Sequence, residues 1–246
     1  MAKVVISHRL HDDGMAVLEK AGVDVVITNS GDPKVMLPEL KDADGVIIRI
    51  GSIDRETMEQ CPKLKVIGRP GVGVDDVDVE AATELGIPVV IAPGANSRSV
   101  AEHAMAMMFA CAKDMMRSDR EMRKGNFGIR SSYKAYELGG KTLGLLGYGH
   151  IGSIFAGMAA GIGMKVLVYD PFIKKEIVEA QGYGYREDMH DILREADVVS
   201  IHTPLTPQTK NMIGEAELRM MKKDGILINC ARGGIVDEAA LNKALD

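Results

Sequence analysis

A chain of 246 residues with 46 % hydrophobic and 26 % charged residues has the make-up of a soluble globular protein, long enough for two compact domains. Its formal net charge of -5 argues against nucleic acid or an anionic membrane as the main partner. The opening MAKVVISHRL lacks the unbroken apolar run of a signal peptide, and no segment reaches the ~18 apolar residues of a membrane span. Cys61, Cys111 and Cys230 are odd in number and widely spaced, which fits a reducing, cytoplasmic setting and implies neither a disulfide framework nor a metal site.

From the N-terminus, short β-branched runs alternate with helical patterns, and strands are expected at 3–7, 23–28, 45–49, 66–68 and 89–92. Such alternation predicts a parallel sheet with helices on both faces. No strand pattern occurs between 92 and 139. A long helix is expected there over about 98–124, started by the capping box Ser99-x-x-Glu102 and ended at Gly125. Its methionines (Met105, Met107, Met108, Met115, Met116, Met122) read as core or dimer-contact packing rather than a functional surface. Strands resume at 142–146, 165–169, 197–201 and 225–229, with a weaker signal at 182–185, and predict a second sheet. There is no internal repeat and no low-complexity segment.

The most informative stretch is TLGLLGYGHIG. Gly147, Gly149 and Gly152 form G-x-G-x-x-G directly after an apolar strand pattern and before a small-residue helical segment, and the next strand ends in Asp170. In that context the first glycine permits the strand-to-helix turn, the second lets the backbone approach a pyrophosphate, and the third packs helix on strand. The Asp170 carboxylate suits a ribose 2'-hydroxyl and repels a 2'-phosphate, and Lys174 and Lys175 come too late to reverse this. The expected cofactor is NAD rather than NADP.

The carboxyl ends of the later strands are polar, which is where an open α/β sheet binds ligands. After the strand at 197–201 comes His202-Thr203-Pro204-Leu205-Thr206-Pro207, and after that at 225–229 comes Asn229-Cys230-Ala231-Arg232-Gly233-Gly234. Arg232, flanked by small residues, offers a planar fork for a substrate carboxylate and a positive charge beside a carbonyl oxygen. His202 has the chemistry of a base, but its place at a strand terminus suits a cofactor contact. The imidazoles of His8, His11, His103 and His150 read as structural or solvated, and Cys230 as packing.

These residues resemble the D-isomer-specific 2-hydroxyacid dehydrogenases, most closely the D-3-phosphoglycerate dehydrogenase branch. The matching segments are 68–75 (GRPGVGVD), 92–97 (APGANS), 100–103 (VAEH), the glycine fingerprint, Tyr169-Asp170-Pro171, 202–205 (HTPL) and 229–238 (NCARGGIVDE). The resemblance implies a flavodoxin-like substrate lobe at 1–96. A Rossmann NAD-binding domain would follow at 97–246, with a linker helix over 97–124 and the active site in the cleft. It implies that backbone amides near Val72 and Gly73 meet the substrate carboxylate, that Asn96 lines the cleft, that Arg49 meets a phosphate or other distal anion, and that Arg232 is catalytic. The expected cofactor contacts are Gly147, Gly149, His150, Ile151, Gly152, Tyr169, Asp170, Pro171, His202, Thr203, Pro204, Thr209, Cys230, Ala231 and Arg232. Asp76 stands where the family usually has Asn, and Pro70 where a small residue is common.

The family pairs its arginine with a histidine and an orienting carboxylate further along the chain, whereas only fourteen residues follow Arg232 here. The helix expected after Asp237 has no Gly or Pro to end it, and five strands are countable in a nucleotide domain that ordinarily has six. The expectation is therefore a C-terminally shortened chain. It would be an NAD-dependent oxidoreductase interconverting a D-2-hydroxy acid and its 2-oxo acid, homodimeric through the nucleotide domain. A non-enzymatic NAD-binding corepressor-like module and an inactive nucleotide-binding fragment are the alternatives.

Overall fold

The computed structural model describes every residue except Tyr133 and Asp246. The chain divides into two compact units, Met1–Asn96 and the remainder from Ser97.

The first unit runs β1 (Lys3–Ile6), α1 (Asp12–Lys20), β2 (Asp24–Ile27), α2 (Pro33–Leu40), β3 (Gly45–Ile47), α3 (Arg55–Glu59), β4 (Val66–Arg69), α4 (Val79–Glu84) and β5 (Val89–Ile91). The strands pair in parallel in the order β2-β1-β3-β4-β5. Helix starts are fixed locally, since Asp32, Asp54 and Asp78 each accept a backbone N–H of the first turn of α2, α3 and α4. Val5, Val46, Ile48 and Ile67 form the centre of the core beneath them.

The second unit begins with α5 (Ser97–Ala112), α6 (Met115–Arg123) and a 3-10 turn (Phe127–Ser131). It continues β6 (Thr142–Leu146), α7 (His150–Gly161), β7 (Lys165–Tyr169), α8 (Lys175–Glu179), β8 (Gly184–Tyr185), α9 (Met189–Glu195), β9 (Val198–Ile201), α10 (Glu215–Met220), β10 (Ile226–Asn229) and α11 (Glu238–Leu245). Its sheet is parallel in the order β10-β9-β6-β7-β8. The weak signal at 182–185 is thus a real edge strand of two residues. Central β6 is buried on both faces: Leu143 and Leu145 pack with α5 and α7, while Leu146 belongs to the cluster around α9. That is why its sequence is a continuous apolar run. Among the described residues, no helix is long and apolar enough to cross a membrane.

The expected single helix over 98–124 is two helices. The carbonyl of Ala112 accepts from the Tyr136 amide at 3.1 Å instead of continuing the helical ladder. Asp114 turns the chain in the left-handed conformation (φ 47°), which Asp tolerates better than most residues. The capping box is also absent, because the helix already starts at Ser97 and places Ser99 inside its first turn, while Glu102 pairs with Arg98 at 2.8 Å. The stop at Gly125 (φ 72°) is as the residue type requires. Of the methionines, Met108 is fully buried and Met105 packs against the core, whereas Met107, Met115, Met116 and Met122 are exposed.

Gly144 is the tightest point of the second sheet's α9 face. A Cβ there would lie 2.4 Å from Ile192 Cγ2 and 2.9 Å from Ala196 Cβ. Gly144→Ala is expected to destabilise the second unit by ~1–3 kcal/mol, the range for overpacking a filled core. Urea denaturation followed by circular dichroism checks this, and an unchanged midpoint would refute it.

Candidate functional site

The second sheet reverses its winding at β6: β7 and β8 lie to one side, β9 and β10 to the other. The crevice at this switch point is where a doubly wound sheet takes a ligand, and the fingerprint turn joins β6 to α7 there. Gly147 has φ 103°, and a Cβ on it would lie 2.8 Å from the carbonyl carbon and oxygen of His202. A Cβ on Gly152 would lie 2.3 Å from the carbonyl oxygen of Gly147. By contrast, nothing lies within 4 Å of a Cβ placed on Gly149, which caps the N-terminus of α7 with no side-chain bond. Two glycines therefore close the turn onto neighbouring backbone, and the middle one leaves open space over the unsatisfied first-turn amides of a twelve-residue helix. His150 is exposed at that helix start, and Ile151 is half-buried against the core.

Asp170 follows β7 and is almost fully buried. Its Oδ2 accepts from the Tyr148 amide at 2.8 Å and its Oδ1 from the Phe172 amide at 2.9 Å, while Tyr185 Oη donates to its carbonyl at 3.1 Å. Each carboxylate oxygen keeps a second lone pair for an outside donor. The sequence marks this side chain only as a ribose ligand, whereas in the fold it also ties the fingerprint turn to β7. Tyr169 packs into the α9 cluster and Pro171 is exposed beside it.

Across the crevice, His202 sits behind the fingerprint turn. Its Nε2 lies 2.9 Å from Ser200 Oγ, its ring meets Phe155 edge-on at 5.6 Å, and burial lowers its pKa from 6.5 to about 4. The imidazole is therefore neutral at pH 7 and a weak base. His202 Nδ1 and Thr203 Oγ1 are both buried without a partner among the described residues. Two orphaned polar atoms beside an open glycine turn are what a polar ligand in the crevice would satisfy. Thr209 serves the loop itself. Its Oγ1 donates to the Pro204 carbonyl at 2.6 Å and accepts from the Thr206 amide at 2.8 Å, closing the 204–209 turn.

After β10, Asn229 brackets the next loop, accepting from the Ala231 amide at 3.0 Å through Oδ1 and donating to the Arg232 carbonyl at 2.8 Å through Nδ2. Arg232 is exposed, and its Nη1 donates to the Ala231 carbonyl at 2.8 Å. Cys230 Sγ lies 3.6 Å from Met107 Sδ, and burial raises its pKa, so it is a packed thiol rather than a thiolate. His190 contacts Asp188 at 2.8 Å and Glu217 at 3.6 Å, a grouping no motif announces because it joins α9 to α10.

In the first unit, the buried hydroxyl of Ser7 accepts from the Arg49 amide at 2.9 Å, and Arg49 Nη1 donates to the Arg9 carbonyl at 2.8 Å. The loop carrying Arg49 lies directly on another: a Cβ on Gly31 would be 2.0 Å from the Ile50 carbonyl oxygen. Neither Ser7 nor this glycine contact is visible as a motif, although glycines within polar runs at 29–32 and 49–52 mark the two loops. Val72 and Gly73 lie in the loop after β4, Val72 exposed and Gly73 half-buried, and their amides have no acceptor among the described residues. Asn96 is exposed at the end of the unit. Among the described residues no His, Cys, Asp and Glu cluster is suited to a metal.

Residues 105–246 match the family model for the D-isomer specific 2-hydroxyacid dehydrogenase NAD binding domain. A D-3-phosphoglycerate dehydrogenase of Methanocaldococcus jannaschii is 43 % identical over all of this chain and 47 % of its own length. A glyoxylate reductase of Thermococcus litoralis is 37 % identical over 99 % of this chain and 76 % of its own. The solved D-lactate dehydrogenase from Aquifex aeolicus, complexed with NAD and lactic acid, superposes with a TM-score of 0.87 at 34 % identity, over 99 % of this chain and 73 % of its own. The chain spans about half the length of the phosphoglycerate dehydrogenases it matches.

The depressed pKa of His202 makes stability pH-dependent. The unfolded chain takes up this proton near 6.5 and the folded one only near 4, so the stabilisation is complete above pH 6.5 and is lost as pH falls towards 4. Wild type is expected to lose up to about 3 kcal/mol more than His202→Gln between pH 7 and 4, a figure set by 1.36 kcal/mol per pH unit. Urea midpoints across that window measure it, and parallel curves for the two proteins would sink the assignment.

Proposed function

Given that the chain belongs to the D-isomer specific 2-hydroxyacid dehydrogenases, we propose that it interconverts a D-2-hydroxy acid and its 2-oxo acid with NAD. The observation that carries this reading is the open fingerprint turn with the buried Asp170 carboxylate tied to it at 2.8 Å. NAD, when bound, supplies the acceptor for hydride from C2 of the hydroxy acid. The free amides at the start of α7, around Gly149, His150 and Ile151, hold a pyrophosphate. Asp170 accepts from the ribose beside Tyr169 and Pro171, and Thr203 and His202 offer their unpartnered atoms to the cofactor along with the backbone from Pro204 and from Cys230 to Arg232. Arg232 clamps the substrate and polarises the reacting oxygen.

The hydroxyl proton needs an acceptor, and His202, with a pKa of about 4, is poorly matched to that role at neutral pH. His202 is instead a cofactor contact, through its unpartnered Nδ1. Identity to D-3-phosphoglycerate dehydrogenases favours a phosphoglycerate-like substrate, with the amides of Val72 and Gly73 on its carboxylate, Asn96 beside it and Arg49 on its distal anion. Three free cysteines accord with a reducing, cytoplasmic location. The exposed Met115, Met116, Met122 and Phe127 favour homodimer contact through this unit.

NADH is expected to bind at least about 100-fold more tightly than NADPH, because a buried carboxylate facing a phosphate costs several kcal/mol. Asp170→Ala should narrow the gap. Isothermal titration decides it, with equal affinities in the wild type excluding the assignment.

Arg232→Lys keeps the charge but loses the planar fork. The single-turnover rate of NADH oxidation by glyoxylate at excess protein should fall about 100-fold or more. His202→Gln should cost less than ~10-fold, below the usual contribution of a general base. The reverse ranking would make His202 the acid/base and remove Arg232 from the chemistry.

A further inference from the structure

The loop that presents the Val72 and Gly73 amides begins at Arg69, the last residue of β4, and ends at Asp76. Arg69 Nη2 donates to Asp76 Oδ2 at 2.7 Å, so an ion pair seven residues apart closes the neck of the loop. The other arm of the guanidinium points the opposite way. Its Nη1 donates to the carbonyls of Ile48, at 3.1 Å, and Arg49, at 2.8 Å. Backbone bonds continue the same seam, from the Ile53 amide to the Asp76 carbonyl at 2.9 Å and from the Gly71 amide to the Arg69 carbonyl at 2.7 Å. One planar cation thus joins the segment just after β3, which carries Arg49, to both ends of the amide-bearing loop. Nη1 is spent on two carbonyls and Nη2 on a carboxylate, while the buried Nε has no partner among the described residues.

We propose that Asp76 is a positioning residue. Its bond to Arg69 fixes the 70–75 loop against the segment that follows β3 and thereby sets where the Val72 and Gly73 amides meet a substrate carboxylate. The carboxylate's place rests on the function proposed above; the clamp itself does not. Arg69 then acts as the strut of that loop. An Asn at position 76 keeps an acceptor for Arg69 but gives up the charge, so Asp76→Asn is the conservative variant and Asp76→Ala the disruptive one.

The test uses the 246-residue chain, 15N-labelled and saturated with NADH, titrated with sodium D-glycerate, which carries the 2-hydroxy acid group and nothing more. In the wild type, the Val72 and Gly73 amide signals should shift. Loss of a charge-assisted bond in Asp76→Ala should raise the glycerate Kd about 10-fold or more, while Asp76→Asn stays within about 3-fold. Amide hydrogen exchange provides a readout independent of any ligand: in Asp76→Ala the Ile53, Gly71 and Val77 amides should exchange at least about 10-fold faster, with those of β1 unchanged. Wild-type Kd and wild-type exchange in Asp76→Ala would overturn the proposal. If glycerate shifts neither amide in the wild type, the carboxylate reading fails and the exchange data alone judge the clamp. Should Asp76→Ala not fold, Arg69→Gln carries the same exchange comparison.

Discussion

At the cofactor end of the second unit, two stretches of backbone lie closer than any side chain permits. The carbonyl oxygen of Gly147 occupies the place where a Cβ on residue 152 would have to be. Because of that contact, the first turn of α7 sits directly against the end of β6, and its free amides open over Gly149 into the crevice between β7 and β9. A methyl group at 152 would push the helix away from the strand, and with it the buried face formed by Phe155, Ala156 and Ala159. The amides, their orientation and the packing of the helix are thus consequences of one missing carbon atom.

Asp170 depends on the same contact and reinforces it. A buried carboxylate without donors is costly, and here the donors are the amides of Tyr148 and Phe172, one from the fingerprint turn and one from its own loop. The carboxylate at the end of β7 therefore holds the turn shut. Replacing this one side chain therefore loosens the turn whatever else it alters. In the first unit, Arg69 has the corresponding double attachment with the charge reversed, joining backbone carbonyls on one side to a carboxylate on the other.

The strands and the fingerprint are legible in the sequence because each is marked by its own residues, apolar runs for the strands and glycine spacing for the turn. Apolar runs at 142–146 and 165–169 coincide with β6 and β7, and the glycine spacing marks the turn between β6 and α7. What is not legible depends on partners from elsewhere. The helix expected over 98–124 breaks at Asp114 because Tyr136 returns to take the Ala112 carbonyl, and nothing within the helix announces Tyr136. Ser7 looks like an ordinary strand end, yet its hydroxyl holds the amide of Arg49, forty-two residues away. Asp76 stands out as a residue type, but its partner emerges only once β4 and the following loop are folded. Thr209 has the polarity of a ligand contact, and its hydroxyl closes its own turn instead.

The strand order of the second sheet also has a kinetic consequence. β6 pairs with β7 across a single helix, but with β9 only after α7, β7, α8, β8 and α9 have been threaded, and the Thr142 amide to Asp197 carboxylate bond spans fifty-five residues. Closing the longer loop costs more chain entropy before any contact repays it, and pairings of high sequence separation form slowly. The crevice has β9 as one wall. The nascent chain can therefore build its glycine turn early on β6, α7 and β7, but the pocket behind it exists only when the last long-range pairing has closed.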